Sequence, residues 1–174
     1  EFIPDATMTR GMFVAVMERT AKLLNVYQEP AHAEPFSDVK TSDYFASGAV
    51  WARAVGLVAG VGNNQLAPND PITREQMCAM MTRFLEKCAG MDLASYTQAG
   101  NTFLDRRAIS AFAAESVDVC VALGLIQGVP VSGGMEFQPQ ASATRAAGAV
   151  GVEGLVGVAG EREDPYETAP PPAS

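Results

Sequence analysis

Apolar side chains recur at helical spacing after two Thr-Arg pairs in the sequence. The clearer stripe follows Thr73 and falls at positions i, i+3, i+4, i+7, i+8 and i+11, namely Met77, Met80, Met81, Phe84, Leu85 and Cys88. The stripe after Thr9 contains Phe13, Val16, Met17 and Leu24. This spacing places the apolar side chains on one face of a helix, which is typical of a buried face. We therefore predict two amphipathic helices and assign these residues to the core.

Local signals mark where the helices in the middle of the chain begin and end. Thr73 followed by Gln76 predicts a capping box, in which the threonine hydroxyl and the glutamine side chain each satisfy a free backbone N–H. Upstream, residues 45–55 are rich in alanine and valine and contain Trp51, which predicts another helix. Gly56 follows at the position where helices commonly end in the left-handed conformation. The middle of the chain therefore reads as helix, loop, helix.

The helix predicted after Thr144 is weaker because it is rich in glycine. A glycine inside a helix costs about 1 kcal/mol relative to alanine. Four glycines occupy this stretch: Gly148, Gly151, Gly154 and Gly157. Either neighbouring segments pack very closely against this helix, or the helix is frayed.

Two kinds of segment occur more than once in the chain. Residues 2–10, 66–74 and 137–145 share an apolar residue, a proline two positions later, and Thr-Arg seven and eight positions later. A Phe-x-Asp segment begins at Phe36 and at Phe103. Each of these leads to an aromatic residue, and Gly-Leu-aliphatic-x-Gly begins twelve residues after that aromatic. A complete unit is therefore two helices joined by a glycine-rich loop, and the first unit lacks its opening helix.

These shared segments resemble the S-layer homology (SLH) repeat. The resemblance is carried by the joint order of Phe36-Ser37-Asp38-Val39, Tyr44, Trp51-Ala52, Gly56-Leu57-Val58-Ala59-Gly60, Pro68 and Ile72-Thr73-Arg74-Glu75-Gln76. The chain departs from the family pattern at two kinds of position. At the position where the family has tryptophan, this chain has Tyr44 and Phe112. The glutamate of the second helix is replaced by Met12, Gln76 and Ala147 in the three repeats.

The resemblance implies an all-α fold in which three helix-loop-helix repeats form a pseudo-threefold, three-pronged bundle. Residues 1–27 correspond to the second half of repeat 1, residues 36–88 to repeat 2, and residues 103–160 to repeat 3. Residues 161–174 are acidic and rich in proline, which is typical of a linker or tail. We expect at most short extended segments, around Pro68 and Pro139.

The resemblance also implies a function. We expect an extracellular, non-catalytic module that anchors a bacterial surface protein to the cell wall by binding secondary cell-wall polysaccharide, with its pyruvate ketals, in grooves between repeats. The alternative is an assembly module of a surface layer, whose partner is another surface-layer protein. A glycosidase with two catalytic carboxylates is disfavoured, because Asp38 and Asp105 recur at equivalent repeat positions and so fit architecture better than one asymmetric site.

Arg10, Arg74 and Arg145 are the leading candidates for ligand contacts. Each follows a predicted N-cap, where a cation lies unfavourably at the positive end of the helix dipole. A helix N-terminus offers N–H groups to an anion, and arginine adds a bidentate fork that suits the carboxylate of a pyruvate ketal. In the alternative reading, each arginine pairs with Asp38 or Asp105 and joins one repeat to the next. We expect Arg74, in the complete middle unit, to be the principal contact.

Asp38 and Asp105 are retained as candidate site residues, and three aromatic residues and one loop complete the set. Sugar rings stack on flat side chains, which makes candidates of Tyr44, Trp51 and Phe112, although Trp51 on an alanine-rich helix also suits a core. In the loop at residues 60–65, Gly62 and Asn63 offer backbone and amide groups to sugar hydroxyls, with a solvated turn as the alternative.

Composition excludes several other classes of function. The 174 residues include 12 Lys and Arg against 20 Asp and Glu, a formal charge of −8, so no broad cationic surface exists for nucleic acid or anionic lipid. No apolar run is long enough to span a membrane. The single His32 has no cysteine or second histidine near it in the sequence, so we expect no metal, cofactor or catalytic pair.

The three cysteines read as small buried thiols. Cys78 and Cys88 lie on one predicted helix, about 15 Å apart along its axis, so they cannot bond to each other. Cys120 can pair with one of them only if the tertiary structure brings it close.

Overall fold

A computed structural model describes residues 3–96 and 102–161. It contains five α-helices in chain order: α1 (Arg10–Leu23), α2 (Ala46–Ala54), α3 (Arg74–Lys87), α4 (Ala114–Ala122) and α5 (Arg145–Gly160). Two single 3₁₀ turns, Arg106–Ala108 and Ala111–Ala113, precede α4. A hairpin of strands β1 (Val129–Val131) and β2 (Gly134–Glu136) lies between α4 and α5. The prediction of an all-α fold is confirmed, and the residues predicted as a tail, apart from Glu161, lie outside the described part.

The three longer helices begin in the same way. Thr9, Thr73 and Thr144 are their N-caps, and each hydroxyl accepts a hydrogen bond from the backbone N–H three residues later. Only α3 has the reciprocal contact of a capping box, in which the Thr73 N–H donates to Gln76 Oε1 at 3.1 Å. The repeated threonine of the sequence therefore defines one kind of helix start.

The two shorter helices end at glycines that local sequence identifies. Gly56 and Gly124 have φ of +83° and +72°, a left-handed conformation that costs glycine little because it has no Cβ. The Leu57 N–H then donates to the Ala52 carbonyl, and the Leu125 N–H to the Cys120 carbonyl, both at 2.8 Å. The predicted ends of these helices are therefore present in both units.

Each shorter helix packs against the longer helix of the preceding repeat. The α1 helix pairs with α2, and α3 pairs with α4, and we call each pair a prong. The first pair is close because Gly48 of α2 lies over the α1 backbone, where an added Cβ would come within 3.0 Å of the Val14 carbonyl oxygen. Trp51, Phe13 and Phe84 are among the fully buried side chains that fill the core.

The three repeats meet at a closed ring of backbone hydrogen bonds. The Met8 N–H donates to the Ala143 carbonyl, the Ala143 N–H to the Ile72 carbonyl, and the Ile72 N–H to the Met8 carbonyl, at 2.9, 2.8 and 2.8 Å. These three residues each directly precede a cap threonine, so they are equivalent in the repeat. The ring gives the molecule a pseudo-threefold axis and places the N-termini of α1, α3 and α5 around it.

The glycines of α5 lie under closely packed neighbours along most of the helix. A Cβ added at Gly148 would collide with the Met8 side chain, and one at Gly154 would come within 2.8 Å of Leu125 Cδ2. At Gly151 the nearest atom is Met81 Sδ, at 3.0 Å. Gly157, near the end, has nothing within 4 Å. Of the two alternatives drawn from the sequence, close packing therefore describes the first three glycines.

The hairpin and the two 3₁₀ turns are elements that the sequence did not predict. Val129 pairs with Glu136 and Val131 with Gly134 in an antiparallel register. The hairpin ends three residues before Pro139, close to one of the two places where short extended segments are expected. In the described ranges no helix is both long and apolar enough to cross a membrane.

Candidate functional site

The first backbone N–H groups of the three longer helices are already hydrogen-bonded. In α1, the Arg10 N–H donates to the Asp70 carbonyl at 3.0 Å and the Gly11 N–H to the Pro68 carbonyl at 2.8 Å. The other two helices show the same pattern, each with carbonyls from another repeat. In α3, the N–H groups of Arg74 and Glu75 donate to the carbonyls of Ala141 and Pro139. In α5, the N–H groups of Arg145 and Ala146 donate to the carbonyls of Ala6 and Pro4. The threonine cap takes the third N–H. These helix starts therefore do not offer an anion the N–H groups that the sequence reasoning assumed.

Arg10 and Arg74 hold the neighbouring repeat through backbone carbonyls. Arg10 Nε donates to the Leu66 carbonyl at 2.8 Å, and Arg74 Nε donates to the Phe137 carbonyl at 2.9 Å. Arg74 Nη2 also donates to the Gln127 carbonyl at 2.7 Å, and its guanidinium lies 5.1 Å from the centroid of the Phe137 ring. Burial lowers the pKa of both arginines below the ordinary value, because it penalises the charged form.

The three arginines differ in exposure and in partners. Arg10 is only 9% exposed, whereas Arg74 and Arg145 are half-buried. Arg145 Nη2 lies 4.0 Å from Met12 Sδ, and the buried Arg145 Nε has no acceptor among residues 3–96 and 102–161. The three arginines therefore occupy equivalent positions in the repeat but have different surroundings in the fold.

Asp38 and Asp105 bind the loop of their own repeat. Asp38 accepts from the Leu66 and Ala67 N–H groups at 2.9 and 2.8 Å, and Asp105 accepts from those of Phe137 and Gln138 at 2.7 and 2.8 Å. In the described part of the chain, neither aspartate forms an ion pair with a Thr-Arg arginine. The alternative of direct Arg–Asp pairs is therefore wrong, although the arginines do join repeats.

Arg74 lines a cavity between the α3–α4 prong and α5. The cavity has a volume of about 260 Å³ and is bordered by residues 125–127 of the loop after α4 and by the first turns of α5. Its apolar lining includes Leu125, Ile126 and Val150. Gln127 also belongs to this site, because its backbone carbonyl accepts a hydrogen bond from Arg74. The sequence did not identify it, since a contact made by the backbone leaves no signal in the side-chain type.

A larger cavity of about 760 Å³ lies within the α3–α4 prong. Its charged lining consists of one basic residue and three acidic ones, Arg83 against Glu86, Asp92 and Glu115. The single cation also donates to the Leu57 carbonyl at 3.0 Å. This balance of charge is unfavourable for an acidic ligand.

The candidate aromatic residues separate into exposed and buried ones. Tyr44 is 63% and Phe112 is 56% exposed, so both offer surface to a partner. Trp51 is fully buried and stacks on Tyr27, with ring centroids 5.9 Å apart. The candidacy of Trp51 for sugar contact is therefore corrected, because no face of its ring reaches solvent.

The loop residues Gly62 and Asn63 are exposed and are not among the residues that line the Arg74 cavity. Both have positive φ, +104° and +51°. The neighbouring Asn64 accepts a hydrogen bond from Arg53 Nη1 at 2.7 Å and so fixes the loop to α2. Among the described residues, no group of three or more His, Cys, Asp or Glu is placed to hold a metal ion.

Comparison with known proteins agrees with this architecture. Residues 35–78 and 102–147 match the S-layer homology domain. The chain is 36% identical over 159 residues to exoglucanase XynX of Acetivibrio thermocellus, covering 90% of this chain and 13% of that protein. It is also 36% identical over 159 residues to an amylopullulanase of Thermoanaerobacterium thermosulfurigenes, covering 90% of the chain and 8% of that protein. It is 27% identical over 145 residues to cell surface glycoprotein 1 of A. thermocellus, covering 80% of this chain and 6% of that protein.

The chain belongs to the S-layer homology domain family. Domains of this family are non-catalytic modules that anchor surface proteins to the bacterial cell wall, and this chain is accordingly a module of the cell surface. It spans about a tenth of the length of the two enzymes named above.

Proposed function

We propose that this module anchors its parent protein by binding an acidic secondary cell-wall polysaccharide at the Arg74 cavity, with a pyruvate ketal as the recognised group. The observation that carries the proposal is the position of the Arg74 guanidinium at the border of a cavity between two repeats. Among the described residues, nothing accepts a hydrogen bond from Arg74 Nη1. One edge of the cation is therefore open to a ligand carboxylate.

The two carbonyls that bind Arg74 support this role. They fix the guanidinium before a ligand arrives, so binding does not have to order a long side chain. Partial burial weakens solvent screening and strengthens a charge-assisted hydrogen bond. Arginine remains protonated despite its lowered pKa, because its ordinary value is far above neutral pH.

The apolar lining of the cavity also suits a pyruvate ketal. That group carries a carboxylate and a methyl on one carbon. Leu125, Ile126 and Val150 provide an apolar border beside the single cation. A ligand that presents both features gains a charged hydrogen bond and buried apolar area together.

Wall binding by the whole module is tested with purified cell walls. The chain should sediment with intact walls and should lose binding after the attached polysaccharide is removed chemically. Binding that persists on stripped walls would contradict the proposal and would favour peptidoglycan or a wall protein as the partner.

The Arg74 cavity is tested with Arg74→Ala and Arg74→Lys. A charged hydrogen bond is worth roughly 1.5–3 kcal/mol, so Arg74→Ala should weaken binding to the polysaccharide on the order of ten- to a hundredfold. Arg74→Lys should recover little, because an ammonium does not reproduce the guanidinium geometry. Both variants should also melt at lower temperature, since two backbone contacts are lost, so affinity is measured well below the melting transition.

Arg10→Ala is the matched control. It removes an equivalent contact, to the Leu66 carbonyl, from an arginine that is almost fully buried. It should lower the melting temperature and leave the affinity of the folded protein within about twofold of the wild-type value, below the loss expected for a charged contact. Unchanged affinity in Arg74→Ala would defeat the assignment of this residue.

A further inference from the structure

Arg53, in the last turn of α2, is held in place by three uncharged groups. Its Nη1 donates to Asn64 Oδ1 at 2.7 Å and to the Glu34 backbone carbonyl at 3.3 Å. Its guanidinium also lies 4.4 Å from the centroid of the Phe36 ring. In the part of the chain that the structure describes, Arg53 forms no ion pair with a carboxylate. The cation is therefore fixed in position while no partner neutralises its charge.

These contacts leave free the edge of the Arg53 guanidinium that suits a bidentate anion. Both hydrogen bonds use Nη1, and among residues 3–96 and 102–161 nothing accepts from its Nε or Nη2. The Nε–H and one Nη2–H lie parallel along one edge, where they match two oxygens of a carboxylate or a phosphate. Arg74 uses the same two nitrogens to hold carbonyls of its own protein. The pair that is occupied in Arg74 is therefore available in Arg53.

Arg53 borders a cavity of about 360 Å³ between α2 and residues 31–34, which we call the Arg53 cavity. Val50 and Ala54 of α2 give it an apolar wall. Small-ligand sites commonly enclose about 300–1,000 Å³ and combine an apolar lining with a few polar groups. Among their described lining residues, this cavity and the Arg74 cavity have none in common. The two cavities are therefore separate.

The repeat architecture does not require an arginine at this position. Arg53 is the eighth residue of α2, and the eighth residue of the equivalent helix α4 is Val121. Phe36 and its equivalent Phe103 are both buried, at 2% and 7% exposure, although an arginine from this position covers only Phe36. Arg53 is therefore a feature of repeat 2 and not part of the architecture that the repeats share.

The charges at the Arg53 cavity permit an anionic ligand. Glu34 is the one carboxylate among the described lining residues, and it is exposed, so water and salt screen its charge. Arg53 is half-buried, so its charge is screened less. His32 borders the same cavity and can donate a ring N–H to a bound oxygen. The lining therefore favours a ligand whose anionic group lies at Arg53 and whose body lies against the apolar wall.

We propose that the Arg53 cavity is a binding site for an oxyanion, separate from the Arg74 cavity. Its ligand carries a carboxylate or a phosphate on a small body with an apolar face, such as a sugar ring. The Nε and Nη2 groups of Arg53 bind two oxygens of the anion, and Val50 and Ala54 contact the body. The site does not depend on the ligand proposed for Arg74, so either assignment can fail without the other.

The site is tested by NMR titration of the ¹⁵N-labelled chain, in which the Nε–H of Arg53 gives its own resonance. The loss of this resonance in Arg53→Lys identifies it. Three probes share one hexose ring: D-glucuronate carries a carboxylate, D-glucose 6-phosphate carries a phosphate, and D-glucose carries neither. At constant ionic strength, at least one of the two anions should shift the Arg53 resonance saturably, and glucose should not. The anion that binds distinguishes a carboxylate-bearing from a phosphate-bearing ligand. No saturable shift with either anion, or an equal shift with glucose, would overturn the proposal.

Variants separate anion binding from a structural role of Arg53, with the backbone resonances of residues 31–34 as a second readout. Arg53→Ala should abolish saturable binding, whereas Arg19→Ala, which removes an exposed arginine outside the cavity, should change the affinity by no more than about twofold. Asn64→Asp keeps the shape of the side chain that restrains Arg53 but gives it a negative charge, so it should weaken binding roughly tenfold in a folded protein. Glu34→Gln should strengthen binding about twofold, because it removes the opposing carboxylate. Equal affinities in Arg53→Ala and Arg19→Ala, or unchanged affinity in Asn64→Asp, would overturn the assignment.

Discussion

Arg74 and Asp105 bind opposite ends of the same residue, Phe137. Asp105 Oδ1 accepts from the Phe137 N–H at 2.7 Å, and Arg74 Nε donates to the Phe137 carbonyl at 2.9 Å. The two charged side chains come from different repeats, so they hold one loop from both sides without touching each other. Asp38 and Arg10 hold Leu66 in the same way. The repeated Asp and Arg of the sequence are therefore partners through a shared stretch of backbone.

Replacing Asp105 by asparagine should destabilise the fold. The amide cannot accept from both the Phe137 and Gln138 N–H groups, because one of its two terminal atoms is a donor. The loss of a hydrogen bond to a charged group costs about 1.5–3 kcal/mol, so the melting temperature should fall by roughly 5 °C. Thermal unfolding followed by circular dichroism measures this shift.

Asp5→Asn is the control for Asp105→Asn. It makes the same change of charge at an exposed aspartate, and should move the melting temperature by no more than about 1 °C. Equal shifts for the two variants would show that net charge, rather than the clamp on the loop, sets the stability.

Two glycine-to-alanine substitutions should have opposite effects. At Gly48 the new Cβ would lie 3.0 Å from the Val14 carbonyl oxygen, and the backbone of α1 cannot move aside without opening the prong. At Gly157 nothing lies within 4 Å, so only the gain in helix propensity remains, up to about 1 kcal/mol. Chemical denaturation should show Gly48→Ala less stable and Gly157→Ala more stable than the original chain. A stabilised Gly48→Ala would refute the close approach of α1 and α2.

The cysteines should react with a thiol reagent in two phases. Cys88 is partly exposed, while Cys78 and Cys120 are fully buried. Burial raises the pKa of the Cys88 and Cys120 thiols, which lowers the fraction of reactive thiolate at pH 8. An aromatic disulfide reagent should therefore modify one thiol slowly in the native protein and the other two only after denaturation. Cys88→Ser should remove the native phase, and native reaction of two or more thiols would contradict the burial.

Removal of metal ions should leave the protein unchanged. No cluster of metal-ligating side chains occurs in residues 3–96 and 102–161. Incubation with EDTA should therefore shift the melting temperature by less than about 1 °C and should not alter wall binding. A clear loss of either property would show that a metal supports this module.

The sequence by itself determined where the three longer helices begin and where the two shorter ones end, because these limits depend on local interactions. Thr73 and Gln76 are three residues apart, and the capping box they form needs no distant partner. Gly56 ends α2 for a reason that lies in its own backbone conformation. The spacing of the repeats also determined which residues are equivalent, and the resemblance carried by those repeats implied the all-α fold.

Only the tertiary structure decided what the equivalent residues do. Arg10, Arg74 and Arg145 share one position in the repeat, yet the segments that they meet come from other repeats. Phe137 lies 63 residues from Arg74 in the sequence, and Met12 lies 133 residues from Arg145. The helix N-termini are saturated by carbonyls from those same distant loops. Trp51 is fully buried and stacks on Tyr27, which lies outside its own helix. Local sequence cannot encode such contacts, because they arise only when three repeats close around one axis.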